Sequence, residues 1–397
     1  MSYIFHDDCQ GYLFFTNIVK KRRFYSRCRH QLNNLLQSIS GSSNAVEKVI
    51  HGEELSFNDG LELLNSENVF VLGAAANLVK KKLSGNVITF VASYYLNYTN
   101  VCAASCPLCA FYRKGDEPDS YTLTIEQILS RARIAINDMK ATELHIVGGF
   151  HPKLGLDYYE KMIREIKKEF PSITVKALTP AEIHFISHVT KNSVKEVLSR
   201  LKAAGLDALP GGGAEIFSKE IRDTIVRGKC SGDEWLKTAE IAHEMGIKSN
   251  CTMLFGHVEE PKHIIDHLIK VRQLQRKTGG FITFIPLKFS LDNTELEQKG
   301  LIDKESSSLY DLKVIALSRL MLATAMKNIS VYWVALGKKL AQVALSYGGN
   351  DLVGTAFSEE IFKAAGKSTG TSIQELAYLI KDAKYVPLQR DTFFNIL

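Results

Sequence analysis

Three of the seven cysteines in this 397-residue chain fall close together in NYTNVCAASCPLCAFYR, the stretch from Asn97 to Arg113. Cys102, Cys106 and Cys109 stand at C-x3-C-x2-C spacing. Thiolates so placed can do three kinds of chemistry. A structural zinc site wants four closed ligands, commonly as two C-x2-C knuckles, and no second knuckle follows here. A redox dithiol would use Cys106 and Cys109 and leave Cys102 over. An iron–sulfur cubane normally takes four cysteines, so three would leave one iron open to a substrate or cofactor. Openness at one position is what separates catalytic from structural metal sites.

The other four cysteines, Cys9, Cys28, Cys230 and Cys251, are scattered singly, which is no disulfide framework. Free thiols suit a reducing compartment, and the cytoplasm is the expected location. No apolar run approaches the ~18 residues of a membrane helix, so no integral membrane segment is expected. YLFFTNIV near the start is short and interrupted by Thr16 and Asn17, unlike a secretory signal. Residues 1–44 carry +4 of the net +6, mostly through KKRRFYSRCRH. The remainder is no nucleic-acid footprint, so no nucleic-acid partner is expected.

The elements that must position the cysteines can be read along the chain. Residues 1–44 read as a basic extension, solvated or the product of a mis-assigned start, ending in the joint SISGSSNA. Residues 45–85 read as a helical segment, in which Ser56 is a good N-cap for SFNDGLELLNS. From 86 to 397, β-rich runs alternate with amphipathic helices such as SVKEVLSRLKAAG and HIIDHLIKVRQLQ. The strands are VITFVASYY, ELHIVGG, ITVKAL, DALPGG, KSNCTMLFG, FITFIPLKF, ISVYWVALG and DLVGTAF. Such units imply a parallel α/β fold, a (β/α)8 TIM-type barrel with an N-terminal helical extension and a C-terminal tail. An open doubly wound sheet is the alternative, but no G-x-G-x-x-G follows the first strand. The cysteines, GGFHP, TPAEIH, PGGGAEI and GHVE follow the first five strands, as one active-site rim would require.

A C-x3-C-x2-C loop after the first barrel strand is the signature of the radical S-adenosylmethionine (radical SAM) superfamily, which this sequence resembles. The resemblance implies that Cys102, Cys106 and Cys109 hold a [4Fe-4S] cluster whose open iron is chelated by SAM. One electron then cleaves SAM into methionine and a 5′-deoxyadenosyl radical. Members usually carry an aromatic residue before the third cysteine; here it is Leu108, suited to a role played through the backbone. From about residue 46 onward, HIVGGFHP, LPGGGAEIF, SNCTMLFGHVE, FIPL, YWVALGKKLAQVAL and QRDT resemble one branch of the superfamily. That branch contains aminofutalosine synthase, dehypoxanthine futalosine cyclase and the tyrosine-using subunit of the deazaflavin (F0) synthase. PGGGAEI and SNCTMLFGHVE are most similar to the aminofutalosine synthases, whereas PGTAAEI is associated with the F0 subunit.

For an aminofutalosine synthase, the resemblance implies addition of the radical to the enol ether of 3-[(1-carboxyvinyl)oxy]benzoate, rearrangement and loss of the carboxylate, in menaquinone biosynthesis. The F0 subunit would instead join tyrosine to 5-amino-6-ribitylaminouracil, and the cyclase would close a nucleoside spiro ring. Outside the enzymes, a zinc-binding scaffold is the alternative. Gly148 and Gly149 correspond to the glycine stretch beside the methionine end of SAM. Glu215 is placed to meet the ribose hydroxyls, or to serve as a helix N-terminal carboxylate. Two substrate carboxylates call for a cation, for which Arg113 is the first candidate and a surface salt bridge its rival role. His151 and His184 sit at rim positions from which they could donate hydrogen bonds or move protons. Where IPLAFHP is expected, the chain reads IPLKFSL, bringing Lys288 and Ser290 to the substrate end. A small ferredoxin or flavodoxin is the implied electron donor.

Overall fold

The computed structural model describes residues 44–397. The basic extension, apart from Asn44, and with it Cys9 and Cys28, lies outside the described residues. Among the described residues nine strands follow in chain order: β1 (Val87–Val91), β2 (Ser93–Asn97), β3 (Glu143–Val147), β4 (Thr174–Ala177), β5 (Ala208–Leu209), β6 (Lys248–Phe255), β7 (Phe281–Lys288), β8 (Asp351–Gly354) and β9 (Val386–Gln389). Strands β2 to β7 pair in chain order in one parallel sheet, and β1 lies between β8 and β9 in a second.

Backbone bridges join the two sheets into a curled parallel barrel with eight strand positions. β1 runs into β2 through Ala92, and the chain beyond β8 reaches Tyr94 of β2 through Phe357. On the other side, Ile329 bridges Phe284 of β7, and Ser330 bridges Asp351 of β8. The expected strand ISVYWVALG is therefore cut short. Trp333–Leu336 turns helical, and the Trp333 indole N–H donates to the Gly354 carbonyl at 2.8 Å. β5 is only two residues long; Pro210, which follows it, has no N–H with which to extend the ladder.

Helices cover the barrel, and short polar residues begin them. Ser56, Thr124, Thr179, Ser193 and Ser231 each close a capping box at a helix start. The helices Asn44–His51, Phe57–Asn65 and Val69–Ser84 precede the first strand, and the last of them packs on the helix Ser308–Leu322. Among the described residues, no helix is long and apolar enough to cross a membrane.

The N-terminal end of the barrel is plugged by buried charge. Arg390 makes a bidentate pair with Asp351 at 2.6 and 2.9 Å, and Lys176 meets Glu143 at 2.6 Å. The Thr392 hydroxyl donates to Glu143 at 2.7 Å, and the Thr89 hydroxyl to Asp351 at 2.7 Å. All six side chains are buried. Burial alone would raise the Glu143 carboxyl, but Lys176 beside it prevails and holds it at about 2. Two of the six come from QRDT, so the tail after β9 folds back to form the floor. Arg390→Met leaves Asp351 buried and unpaired, and should cost about 3–5 kcal/mol in denaturant unfolding. Wild-type stability in that variant would show that the floor does not depend on the pair.

Candidate active site

A cavity of about 260 Å³ opens between the C-terminal ends of the strands. Strand geometry sets its wall, because alternate residues point inward. β3 contributes His145, Val147 and, just past its end, Gly149; β6 contributes Asn250, Thr252 and Leu254. β7 contributes Ile285 and Leu287, with Phe289 following, and β2 contributes Tyr95. The three cysteines, the 210–213 turn, Tyr332 and Glu359 complete it.

Backbone contacts hold the cysteine loop. The Cys102 N–H donates to the Arg113 carbonyl at 2.9 Å, and the Ala103 N–H to the Phe150 carbonyl at 2.9 Å. The Arg113 N–H donates to the Asn100 carbonyl at 2.7 Å, and the Cys109 N–H to the Cys106 carbonyl at 3.0 Å. Between the first two cysteines, Ser105 takes a left-handed φ of 45°. The Arg227 N–H donates to Cys106 Sγ at 3.3 Å. Burial pushes the Cys106 thiol up and the Cys109 thiol to about 11, against the pull of the Lys229 ammonium. Among the described residues, no three His, Cys, Asp or Glu side chains are gathered as around a single metal ion. Cys102, Cys106 and Cys109 all line the one cavity, as three ligands of a single cluster must.

Gly148 and Gly149 line this cavity, and both are needed for packing as well. A Cβ on Gly148 would meet the Tyr98 ring at 2.7 Å, and one on Gly149 would run into the Val101 carbonyl oxygen. Leu108 also lines the cavity, with its N–H directed to the Ile225 carbonyl at 3.4 Å. Glu215 lies in the wall, paired with Lys229 at 2.5 Å. Burial would raise its carboxyl, yet Lys229 holds it below the usual carboxylate range.

The other expected residues lie elsewhere. Arg113 is outside the cavity wall, bound to Asp119 through Nη2 at 2.6 Å and to the Tyr112 carbonyl through Nη1 at 2.8 Å. It braces the cysteine loop instead of facing a substrate. His151 and His184 are also outside the wall: His151 Nδ1 accepts the Lys153 N–H at 3.1 Å, and His184 Nε2 stands 4.0 Å from Glu234. Lys288 is clasped by Glu305 at 3.1 Å and Asp311 at 3.3 Å. Ser290 does line the cavity, and its buried hydroxyl has no hydrogen-bond partner. The GHVE turn closes on itself, since Glu259 accepts the N–H groups of Gly256 and His257.

Several wall residues were not singled out from the sequence. Glu182, within TPAEIH, accepts from the Tyr98 hydroxyl at 2.9 Å, the Gly148 N–H at 3.0 Å and the Thr179 N–H at 2.7 Å. Burial raises its carboxyl. Glu359 accepts from the Ile361 N–H at 3.1 Å and the Phe362 N–H at 2.7 Å, and burial pushes it up to about 7. His145 stacks on Tyr95 with centroids 4.3 Å apart. Burial, reinforced by Lys176, depresses its imidazole to about 3, so it is neutral at physiological pH. Its place in ELHIVGG, at even spacing from Val147 and Gly149, is the signal that could have marked it.

Residues 96–271 match the family model of the Radical SAM superfamily, and residues 278–397 match the CofH/MqnC C-terminal region. An aminodeoxyfutalosine synthase from Streptomyces coelicolor is 38% identical, over 88% of this chain and 92% of that protein. The chain belongs to the radical SAM superfamily. It is also 40% identical to a 5-amino-6-(D-ribitylamino)uracil–L-tyrosine 4-hydroxyphenyl transferase from Methanopyrus kandleri, over 81% of this chain and 87% of the other. The crystal structure of methylornithine synthase shares the fold, with a TM-score of 0.68, 19% identity and coverage of 87% and 97%. As a radical SAM enzyme, the protein uses a [4Fe-4S] cluster and SAM to act on a small molecule.

The contact of Gly149 with Val101 makes a specific demand. Gly149→Ala should displace the cysteine loop and lower the iron bound per chain severalfold after anaerobic reconstitution. Gly155→Ala, whose added Cβ meets nothing within 4 Å, should bind iron as the wild type does. Equal iron in both variants would remove the loop's dependence on this contact.

Proposed function

We propose that this protein is an aminodeoxyfutalosine synthase, the aminofutalosine synthase activity expected above. The observation that carries the reading is the state of the cavity's carboxylates. Glu182, Glu215 and Glu359 are the acidic residues in the wall, and each is engaged by protein donors. Tyrosine would bring an ammonium group into this space, and a buried ammonium wants an anion. The enol-ether dicarboxylate brings none. The turn Pro210–Gly213 supports the same reading. Gly213 has a φ of +80°, and a Cβ there would run into Ala181, so PGTAAEI does not fit this turn as built.

On this reading Cys102, Cys106 and Cys109 hold the cluster, which when bound supplies the electron for reductive cleavage of SAM. The chain's own part is positioning and shielding. Gly148 and Gly149 bring backbone to the cysteine end of the cavity. Glu215, kept ionised by Lys229, is suited to accept hydrogen bonds from ribose hydroxyls. Val147, Phe150, Leu254, Ile285, Leu287 and Phe289 exclude water from the path between SAM and acceptor. There a 5′-deoxyadenosyl radical would add to the vinyl group, and rearrangement would expel the vinyl carboxylate as the CO2 radical anion, which carries off the unpaired electron and leaves the closed-shell carbon–carbon-bonded product. A small ferredoxin or flavodoxin would deliver the electron.

An anaerobic assay of reconstituted protein with SAM and dithionite tests this. With 3-[(1-carboxyvinyl)oxy]benzoate, the expected product by mass is a nucleoside adduct that retains adenine. A tyrosine-derived adduct, formed only with tyrosine and the ribitylaminouracil, would transfer the protein to deazaflavin synthesis.

A further inference from the structure

Resting on that assignment, we propose that the ring carboxylate of the acceptor is received within the barrel by two side chains, His145 of β3 and Asn250 of β6, and not by a lysine or arginine. Asn250 is 5% exposed and lines the cavity, and its side-chain amide makes no hydrogen bond among the described residues. His145 also lines the cavity and makes no hydrogen bond through either ring nitrogen; Nδ1 lies 3.9 Å from Glu143. The polar atoms of both open onto the cavity instead of being sealed off, so a ligand that fills it must supply them with a hydrogen-bond partner. Two such groups facing one cavity point to a ligand that completes them.

The cations nearby are already committed. Lys229, the one Lys or Arg in the described wall, pairs with Glu215 and faces the cysteine end. Lys176 is taken by Glu143, and Lys288 by Glu305 and Asp311. Both proposed groups can donate a hydrogen bond: the Asn250 amide always, and the imidazole through its one N–H. Neutral donors suffice to keep a carboxylate ionised when two or three converge on it. Stacking on Tyr95 fixes the plane of the His145 ring before any ligand arrives.

Depth in the barrel decides which carboxylate is meant. His145 lies two residues above the floor residue Glu143 and four before Gly149, which packs against the cysteine loop. The vinyl group must face the cysteine end to meet the radical, and the carboxylate next to it goes there too. The ring carboxylate, on the far side of the arene, is left to the deep end.

The experiment is equilibrium binding to cluster-loaded protein with SAM and no reductant, so that nothing turns over. The probes are 3-[(1-carboxyvinyl)oxy]benzoate and 2-phenoxyacrylate, which lacks only the ring carboxylate. Asn250→Leu and His145→Phe should each weaken the dicarboxylate about tenfold or more and leave phenoxyacrylate unchanged. His145→Gln, which keeps a donor, should recover much of the loss. Retained phenoxyacrylate binding shows that a variant is folded. If the variants bind the dicarboxylate like wild type, or lose both probes equally, the assignment falls while the function stands. If wild-type protein binds tyrosine and not the dicarboxylate, the function falls and this inference with it.

Discussion

The cysteine end of this barrel depends on the close approach of two backbones. Gly149, just past β3, lies against the Val101 carbonyl with no room for a Cβ, and the neighbouring Phe150 carbonyl takes the Ala103 N–H. Those two contacts register the cysteine loop against the sheet. The same strand end is tied onward: the Gly148 N–H reaches Glu182, and Glu182 also holds Thr179 and Tyr98. The ends of β2, β3 and β4 thus form one hydrogen-bonded unit, and the thiols take their positions from it.

The opposite end is fixed by charge instead of close packing. The Arg390–Asp351 and Lys176–Glu143 pairs fill the floor with groups that cancel one another. At the mouth, Arg113–Asp119, Lys229–Glu215 and Arg227–Glu295 do the same. The cavity between is mostly apolar, so a charge placed in it acts through a low dielectric and is felt strongly. Self-neutralised ends leave that field to the ligands.

The sequence was legible wherever one local rule decided the outcome. All eight strand positions are occupied, and Ser56 starts its helix, because β-rich runs and short polar caps act locally. The end of ISVYWVALG was not legible, because Trp333 turns away to bond with Gly354 at the end of the neighbouring strand β8, a contact that no periodicity encodes. The three cysteines stood out by their spacing, and Gly148 and Gly149 only through the family resemblance; all five line the cavity. Arg113 could not be placed, since its partner Asp119 lies in the same loop and competes with any ligand. His145 and Asn250 escaped because strands in a parallel barrel are apolar on both faces, so their even spacing from other wall residues tells only once the inward face is known.

The wall also bears on how a carbon radical could be contained. A primary carbon radical takes hydrogen from whatever weak donor it meets first. An S–H bond is one such donor, and the three cysteines lie in the same cavity wall. Tyr95 and Tyr332 are further hydrogen donors in the wall, with phenols shifted far up by burial. Tyr95 stacks on His145, which on the proposed assignment puts the acceptor between that phenol and the cysteine end. An acceptor anchored by its far carboxylate would then screen that phenol from the radical, so that recognition and containment rest on the same two neutral residues.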